Sequence, residues 1–325
     1  MKFRDHWVNA SVTALENISP SIKLFQITPK NGRASWTPGS NIRIRVRVED
    51  RSEIRTYSLI DTGVEDEHYR IAVRLIEDGQ GGSRYMWSLN ENDLIEISQP
   101  HNHFELSRYS TSYTLVAGGV GITPLVSMAK ALSNSDKPVR LIYGVRTRSE
   151  AAFGDLLKTW LGERLELSVG DEDGPLDIAS IVNSVDKNGE LYVCGPIGML
   201  EAISKLWRKS ERPLGLLRYE TFAASGHYPS QEFMVEIPRL NKLVRVPAHQ
   251  SMLAALQEAG VELMSDCKRG ECGLCVVDVV STTEPVDHRD VFLSAHQKAE
   301  NRKLCACVSR SAGGTVTIDT AYRGL

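Results

Sequence analysis

Residues 113–124 read Tyr-Thr-Leu-Val-Ala-Gly-Gly-Val-Gly-Ile-Thr-Pro. An apolar run, Tyr113 to Ala117, enters a glycine turn, and helical spacing follows from Thr123 to Leu132. This strand–turn–helix unit decides the middle of the chain. Downstream, Val139 to Val145, Leu165 to Val169 and Glu190 to Cys194 read as buried strands. Between them, Glu150 to Leu161, Asp177 to Val185 and Gly198 to Lys209 carry helical spacing. Strands alternating with helices predict a parallel sheet covered by helices, an α/β domain over residues 107–225. The glycines at 118, 119 and 121 let the backbone approach a pyrophosphate, and the helix N-terminus favours its charge. Thr123 and Pro124 open that helix, where proline is tolerated. The spacing departs from G-x-G-x-x-G. Cys194-Gly195-Pro196 ends the fourth strand, at the sheet edge where α/β folds bind ligands.

Residues 1–106 have a different rhythm. Ser40 to Val48 (SNIRIRVRV) alternates polar and apolar residues, the period of a half-buried strand, with Arg43, Arg45 and Arg47 on its wet face. Arg55 to Ile60, Tyr69 to Ile76 and Asp93 to Ser98 add strands, and Arg84 to Leu89 a short helix. Close-set strands punctuated by Gly and Pro predict an antiparallel barrel. Within it, Arg55-Thr56-Tyr57-Ser58 combines a phosphate-pairing cation, a ring able to lie on an aromatic plane and a hydroxyl. Val73-Arg74 and Gly81-Gly82-Ser83 follow, the last opening the helix with free N–H groups.

Residues 226–325 form a third unit, entered through the polar stretch His227 to Ser230. A hairpin, Glu232 to Ile237 with Lys242 to Val246, precedes a helix from Ser251 to Ala259, with Ser251 as N-cap and Gly260 just beyond the end. The strand Val276 to Val280 comes later, and the whole fits a β-grasp. Between helix and strand lies Cys267-x4-Cys272-x2-Cys275, with Cys305 and Cys307 downstream. C-x4-C-x2-C…C is plant-type [2Fe–2S] spacing, in which three thiolates come from one wrapped loop. Zinc sites more often use paired C-x2-4-C hooks. Two residues apart on a strand, Cys305 and Cys307 face the same way, and spacing alone leaves both open as the fourth ligand.

Composition excludes several classes. The 325 residues carry 38 Lys/Arg against 41 Asp/Glu, a net charge of −3, which argues against an obligate nucleic-acid binder. With 42% hydrophobic and 24% charged residues the chain is globular, and no apolar run approaches membrane-spanning length. The stretch MKFRDHWVNA lacks the apolar core of a secretory signal. Five of six cysteines follow residue 266, a local metal or redox site rather than a disulfide framework. A cytoplasmic, reducing location without membrane attachment is the expectation. His101-Asn102-His103 reads as a solvated loop, and no Ser-His-Asp or paired-carboxylate constellation stands out.

The C-terminal segment resembles the ferredoxin domain of the phthalate dioxygenase reductase family, which includes vanillate demethylase and carnitine monooxygenase reductases. The residues that carry the likeness are Asp287-His288-Arg289-Asp290 and Cys307-Val308-Ser309-Arg310 before a final strand, Val316 to Asp319. The resemblance implies Cys267, Cys272, Cys275 and Cys307 as ligands, the two additional residues being absorbed between Ser281 and Val286. Arg55-Thr56-Tyr57-Ser58 resembles the R-x-Y-S motif of the family's flavin barrels, with Ser58 near flavin N5. Gly118 to Pro124 resembles its G-G-x-G-x-T-P motif. The likeness spans the whole chain in the order flavin, nicotinamide, ferredoxin; methane-monooxygenase-type reductases carry the ferredoxin first.

The resemblance further implies FMN rather than FAD, although the residues themselves do not exclude an adenine pocket. It implies NADH, with Arg146 and Arg148 toward the adenosine end, where they could also meet a 2′-phosphate. Asp171 and Gly174 resemble another family loop. Cys194 then lies near the reacting nicotinamide carbon and Phe222 on the flavin face, so Ser58, Cys194 and Phe222 are the catalytic candidates. The implied function is electron delivery from NADH through flavin and [2Fe–2S] to a separate Rieske-type oxygenase. Because plant-type clusters lie at about −400 mV, hydrogen bonds or exposure should raise this one to suit delivery from NADH. Residues 226–325 hold 11 Lys/Arg and 12 Asp/Glu, so no strongly acidic docking face is expected. Lys268 and Arg269 suggest a locally basic rim. A non-catalytic Fe–S carrier or sensor, and a stand-alone NADH reductase of small acceptors, are the competing readings.

Overall fold

The computed structural model describes residues 6–49, 51–64, 67–77, 79, 81–222 and 228–320. His227 of the expected linker, and the expected boundary between 225 and 226, lie outside them. The chain divides into two compact units, residues 1–220 and 221–325.

The first unit begins with seven antiparallel strands: β1 (Trp7–Ser19), β2 (Ile22–Pro29), β3 (Ser40–Val48), β4 (Arg51–Ser58), β5 (Tyr69–Arg74), β6 (Leu94–Ser98) and β7 (His101–Asn102). Their order is β4-β3-β6-β1-β2-β5, with β7 paired to β3. Helix α1 (Gly82–Ser88) lies between β5 and β6 in sequence. β1 and β2 were not legible as strands. The β1–β2 register slips between Val12 and Ala14 and again between Asn17 and Ser19, and such bulges break the two-residue alternation. Ile42, Ile44 and Val46 fill the barrel core as their period requires. The opposite face of β3 is not uniformly wet. Arg43 is buried, and Arg45 stacks on Trp7 and pairs with Glu96. His101-Asn102 is likewise no solvated loop: both are half-buried, and Asn102 Nδ2 donates to Thr37 Oγ1 and the Pro38 carbonyl.

The nucleotide half of this unit has five parallel strands: β8 (Tyr113–Gly118), β9 (Val139–Val145), β10 (Leu165–Val169), β11 (Glu190–Cys194) and β12 (Leu217–Glu220). They run in the order β10-β9-β8-β11-β12. Its helices are α2 (Ile122–Leu132), α3 (Gly154–Leu161), α4 (Gly170–Asp173), α5 (Ile178–Ser184) and α6 (Ile197–Lys209). The helix expected from Glu150 starts only at Gly154, because Phe153 takes a left-handed conformation (φ 62°) and interrupts it. One apolar core joins Leu115, Ile122, Leu125 and Leu141 of this half to Ile22, Ile60, Ala72 and Phe104. The chain is therefore packed continuously across residue 106.

The second unit holds β13 (Phe233–Ile237), β14 (Lys242–Val246), α7 (Met252–Glu258), β15 (Val276–Thr282), β16 (Val286–Asp287), α8 (Ala295–Glu300), β17 (Lys303–Cys305), β18 (Arg310–Ser311) and β19 (Thr315–Asp319). Its main sheet runs β14-β13-β19-β15-β17, with β13 and β19 parallel and the other neighbours antiparallel. Met252, Leu253, Ala255 and Leu256 of α7 pack on Val235, Val277 and Val316, the arrangement of a β-grasp. Ser251 caps α7 by accepting from Ala254 N, as expected.

Candidate functional site

The sheet order of the nucleotide half places its topological switch point between β8 and β11, where adjacent connections leave in opposite directions and a ligand crevice opens at the strand C-termini. Both nucleotide motifs lie there. The turn Gly119–Gly121 follows β8 and leads into α2, while Gly195 and Pro196 follow β11. The two loops touch closely. A Cβ on Gly121 would stand 2.2 Å from the Cys194 carbonyl oxygen, so only glycine fits. Thr123 is buried and donates its hydroxyl to the Val120 carbonyl (3.1 Å), closing the turn rather than facing a ligand. Pro124 sits in the first turn of α2.

Cys194 is fully buried and stands between Ala117 on β8 and Glu220 on β12. The Glu220 carboxylate, also fully buried, accepts a hydrogen bond from Ser58 Oγ at 3.3 Å. Ser58, Cys194 and Glu220 thus gather from three distant positions in the chain. Glu220 was not singled out as a functional residue in the sequence. Its signal was an acidic residue at the end of an unrecognised strand. The chain after Ser58 is fixed to α2: Ser127 Oγ donates to the Leu59 carbonyl and accepts from Asp61 N, both at 2.9 Å.

The other flavin-motif residues lie on β4 and around α1. Arg55 crosses the start of α1, where a Cβ on Gly82 would stand 2.4 Å from its Nε. Its Nη2 pairs with Glu53 at 2.6 Å. Thr56 faces Arg43 in the β3–β4 register. Burial raises the Tyr57 phenol well above its ordinary pKa, against a smaller pull from Arg55, and it stays neutral. Val73 is buried and its carbonyl accepts Trp87 Nε1. Gly81 is left-handed (φ 82°), and Ser83 Oγ accepts from Ile76 N, so this hydroxyl closes the turn. The structure therefore brings Arg55 and Gly82 together and leaves Ser83 engaged elsewhere.

Arg146 and Arg148 project from the loop after β9. Arg146 is 87% exposed and 4.0 Å from Asp171; Arg148 pairs with Glu172 at 2.6 Å. Gly174 is left-handed beyond α4. Phe222, in the second unit, is 39% exposed.

In the cysteine loop, three backbone N–H groups, of Arg269, Glu271 and Cys272, point at Cys267 Sγ, each at 3.4 Å. Hydrogen bonds from the Cys305 and Cys307 thiols pull Cys275 down to about 3; this pairing, together with burial, pushes those two up. Cys267 is raised by burial, which outweighs its three N–H groups. Cys272 is exposed and the other four are buried. Among the described residues no three such side chains converge on a single-ion site. The cysteines instead stand as a pair, Cys267 with Cys272, and a group of three, Cys275 with Cys305 and Cys307. Thiolates wrapped by backbone donors are the donor set of an iron–sulfur cluster, and these residues fit one.

Asp287-His288-Arg289-Asp290 braces this loop from behind. Arg289 Nε donates to Asp287 at 2.7 Å, and Asp290 accepts from Leu293 N and Ser309 Oγ. The next two residues, Val291 and Phe292, donate their N–H groups to the Gly270 carbonyl. Arg310 reaches the carbonyls of Gln231, Pro247 and Gln250 and stacks on Phe233. The expected basic rim is corrected. Lys268 is exposed, but Arg269 is only 12% exposed and pairs with Glu271 at 3.2 Å, while Thr221 N and Oγ1 donate to that same carboxylate. Arg269 is neutralised inside the loop.

This combination defines an oxidoreductase chain with flavin-barrel, nucleotide-binding and [2Fe–2S] modules. Residues 9–106 match the oxidoreductase FAD-binding domain model, 115–170 the oxidoreductase NAD-binding domain model and 236–312 the 2Fe-2S iron-sulfur cluster binding domain model. The chain is 33% identical to the phenoxybenzoate dioxygenase subunit beta of Ectopseudomonas oleovorans, over 96% of this chain and 97% of that one. It is 32% identical to the heme-dependent oxidative N-demethylase beta subunit of Ectopseudomonas mendocina (96% and 98%). It is 30% identical to the phthalate dioxygenase reductase of Burkholderia cepacia (97% and 98%). A solved structure of phthalate dioxygenase reductase, described as modular for electron transfer from pyridine nucleotides to [2Fe–2S], superposes with TM-score 0.78 at 28% identity, covering 96% and 98% of the two chains. The chain belongs to the phthalate dioxygenase reductase family.

Proposed function

We propose that this chain is the reductase component of an oxygenase system, taking electrons from NADH and passing them to a separate Rieske-type oxygenase. Its units would be an FMN barrel (1–106), an NAD(H) domain (107–225) and a ferredoxin domain (226–325). The observation that carries the reading is the meeting of Ser58 with Glu220 beside Cys194 at the switch point, in a chain that also holds the donor-wrapped cysteine loop. When bound, the flavin supplies the change from two-electron to one-electron chemistry and the cluster supplies one-electron carriage.

The protein's part is binding and alignment. The backbone of Gly118, Gly119 and Gly121 and the Cys194-Gly195-Pro196 loop would hold the nicotinamide nucleotide, with Arg146 and Arg148 toward its adenosine. Arg55, beside Gly82, would bind the flavin phosphate, which would compete with Glu53 for the guanidinium. Thr56, Tyr57, Val73, Gly81 and Ser83 would shape that pocket. Ser58 would hydrogen-bond the flavin ring. Cys267, Cys272, Cys275 and Cys307 would ligate the cluster. Among the described residues no helix is long and apolar enough to cross a membrane. FMN and NADH rest on the family likeness.

The test is an anaerobic NADH titration followed by absorbance and low-temperature EPR, with chromatography of heat-released flavin. Flavin bleaching with a rhombic [2Fe–2S]⁺ signal supports the internal chain, and FAD in the released fraction overturns the FMN assignment. Flavin reduction without the cluster signal favours a stand-alone reductase of small acceptors. One relative serves a heme-dependent demethylase by name. Reconstitution with purified Rieske and heme oxygenases therefore decides the partner class.

A further inference from the structure

A carboxylate already stands at the cation read above as the flavin-phosphate ligand. Glu53 and Arg55 are two residues apart on β4 and project from the same face. In the ladder Glu53 lies opposite Val46 and Arg55 opposite Ile44, and both of those partners belong to the barrel core. The ion pair therefore occupies the core-facing side of the strand, while Ile54 between them turns outward and is 36% exposed. The usual placement, apolar in and charged out, is reversed here, and local rules are broken in this way mainly at functional sites. Only 18% of the Glu53 side chain and 26% of the Arg55 side chain remain exposed. Glu53 Oε2 accepts from Arg55 Nη2 at 2.6 Å, and Arg55 Nη1 donates to the Ile54 carbonyl at 3.0 Å. The turn before α1 closes over the arginine. A Cβ on Gly82 would stand 2.4 Å from Arg55 Nε and 2.9 Å from its Cγ. The guanidinium is thus held between a carboxylate and this turn, where water screens charges poorly.

We propose that Glu53 is an affinity- and specificity-determining residue of the flavin site: as the resident counter-ion of Arg55 it weakens the binding of a flavin phosphate, and does so more the more charge that phosphate carries. The proposal rests on the reading of Arg55 as the phosphate-binding cation. An incoming phosphate must displace the carboxylate or share the guanidinium with it, and either course costs binding free energy. A terminal phosphate monoester carries close to two negative charges at neutral pH. Each phosphorus of a pyrophosphate diester carries one. Glu53 therefore acts most strongly on FMN, less on FAD and not at all on riboflavin, which has no phosphate.

The test uses the full-length chain as wild type, Glu53→Gln, Glu53→Ala and Arg55→Ala, each loaded with FMN, FAD or riboflavin. Serial dilution, followed by the fluorescence of released flavin, gives each Kd. Glu53→Gln should hold FMN about three- to thirtyfold more tightly than wild type, between the worth of an exposed ion pair and that of a buried charge-assisted hydrogen bond. FAD should gain less, and riboflavin should bind as it does to wild type. Glu53→Ala should repeat the pattern. The rise in Tm on adding FMN should be larger in Glu53→Gln than in wild type, by the same linkage. Arg55→Ala should loosen FMN and leave riboflavin unchanged. Unchanged or weaker FMN binding in either Glu53 variant that folds overturns the proposal. So does an equal gain for riboflavin, which would mark a general effect on the pocket rather than on the phosphate. An Arg55→Ala chain that holds FMN as tightly as wild type sinks the underlying reading instead, and is told apart because Glu53 is intact in it.

Discussion

Gly121→Ala isolates the contact between the two nucleotide loops. The added methyl would stand 2.2 Å from the Cys194 carbonyl oxygen, 2.5 Å from its carbon and 2.8 Å from Gly195 N, all backbone atoms that cannot swing aside. Carbon and oxygen rest at about 3.3 Å or more, so the loops must part by about 1 Å. Forcing a methyl into a packed site costs about 1–3 kcal/mol. For a unit of this size that lowers Tm by about 2–12 °C. A misplacement of about 1 Å at a reacting centre costs about a hundredfold in rate. Stopped-flow flavin reduction at saturating NADH should slow by about that factor. The control is Gly162→Ala, where φ is +58° and nothing lies within 4 Å. With φ +58° and ψ −127° its conformation is open essentially to glycine alone, so alanine there carries backbone strain of about 1–3 kcal/mol but touches neither loop. Its Tm should fall comparably while flavin reduction keeps the wild-type rate. Equal rates in Gly121→Ala and Gly162→Ala would refute the claim that this contact aligns the nicotinamide loop.

Ser58→Ala and Glu220→Gln each disturb a buried hydrogen bond whose loss costs about 1–3 kcal/mol, so flavin reduction should slow about five- to hundredfold. The double variant should be little worse than either single one, because both remove the same bond; additive losses would show independent roles. Cys272→Ala should abolish the cluster spectrum yet leave NADH-driven flavin reduction unchanged, since Cys272 is exposed and contributes no core packing. At Asp290, burial raises the carboxyl, but His288, the Leu293 N–H and Lys298 outweigh it and hold it below its ordinary value. The unfolded chain therefore protonates first on acidification. The stability this carboxylate confers is present above pH about 3.9 and is lost as the pH falls further. Asp290→Asn should lower the Tm at neutral pH and flatten the acid limb, read as thermal loss of cluster absorbance across a pH series.

Legibility followed how local the determining physics is. Four of the five parallel strands and the hairpin of the second unit were readable because each has one apolar pattern and clear punctuation, whereas the short β12 was missed. β1 failed because two bulges shift its faces in mid-strand, so no single alternation runs through thirteen residues. α8 could have been found: Ser294 and Gln297 form a reciprocal capping box, a four-residue signal written in the sequence. Arg43 and Arg269 were misread for one common reason. A charged residue at a solvent-period position reads as wet until a partner from elsewhere buries it, and Glu271 does so for Arg269.

The candidate site shows the same limit more sharply. Each motif was legible separately, because glycine turns, paired cysteines and R-x-Y-S are short-range patterns. What they do together depends on sheet order. Cys194 and Glu220 become neighbours only because β12 adds beside β11, and Ser58 reaches Glu220 across 162 residues of chain. No periodicity encodes that meeting. It follows from the right-handed crossovers that put β8 and β11 side by side and open the crevice between their ends. The fifth cysteine is the converse case. Cys305 and Cys307 were equivalent by spacing, on the expectation that one strand points both the same way; β17 instead ends at Cys305, and Cys307 lies in the turn beyond it. Both lie buried in the same core as Cys275, so neither spacing nor burial ranks them, and the resemblance alone favours Cys307.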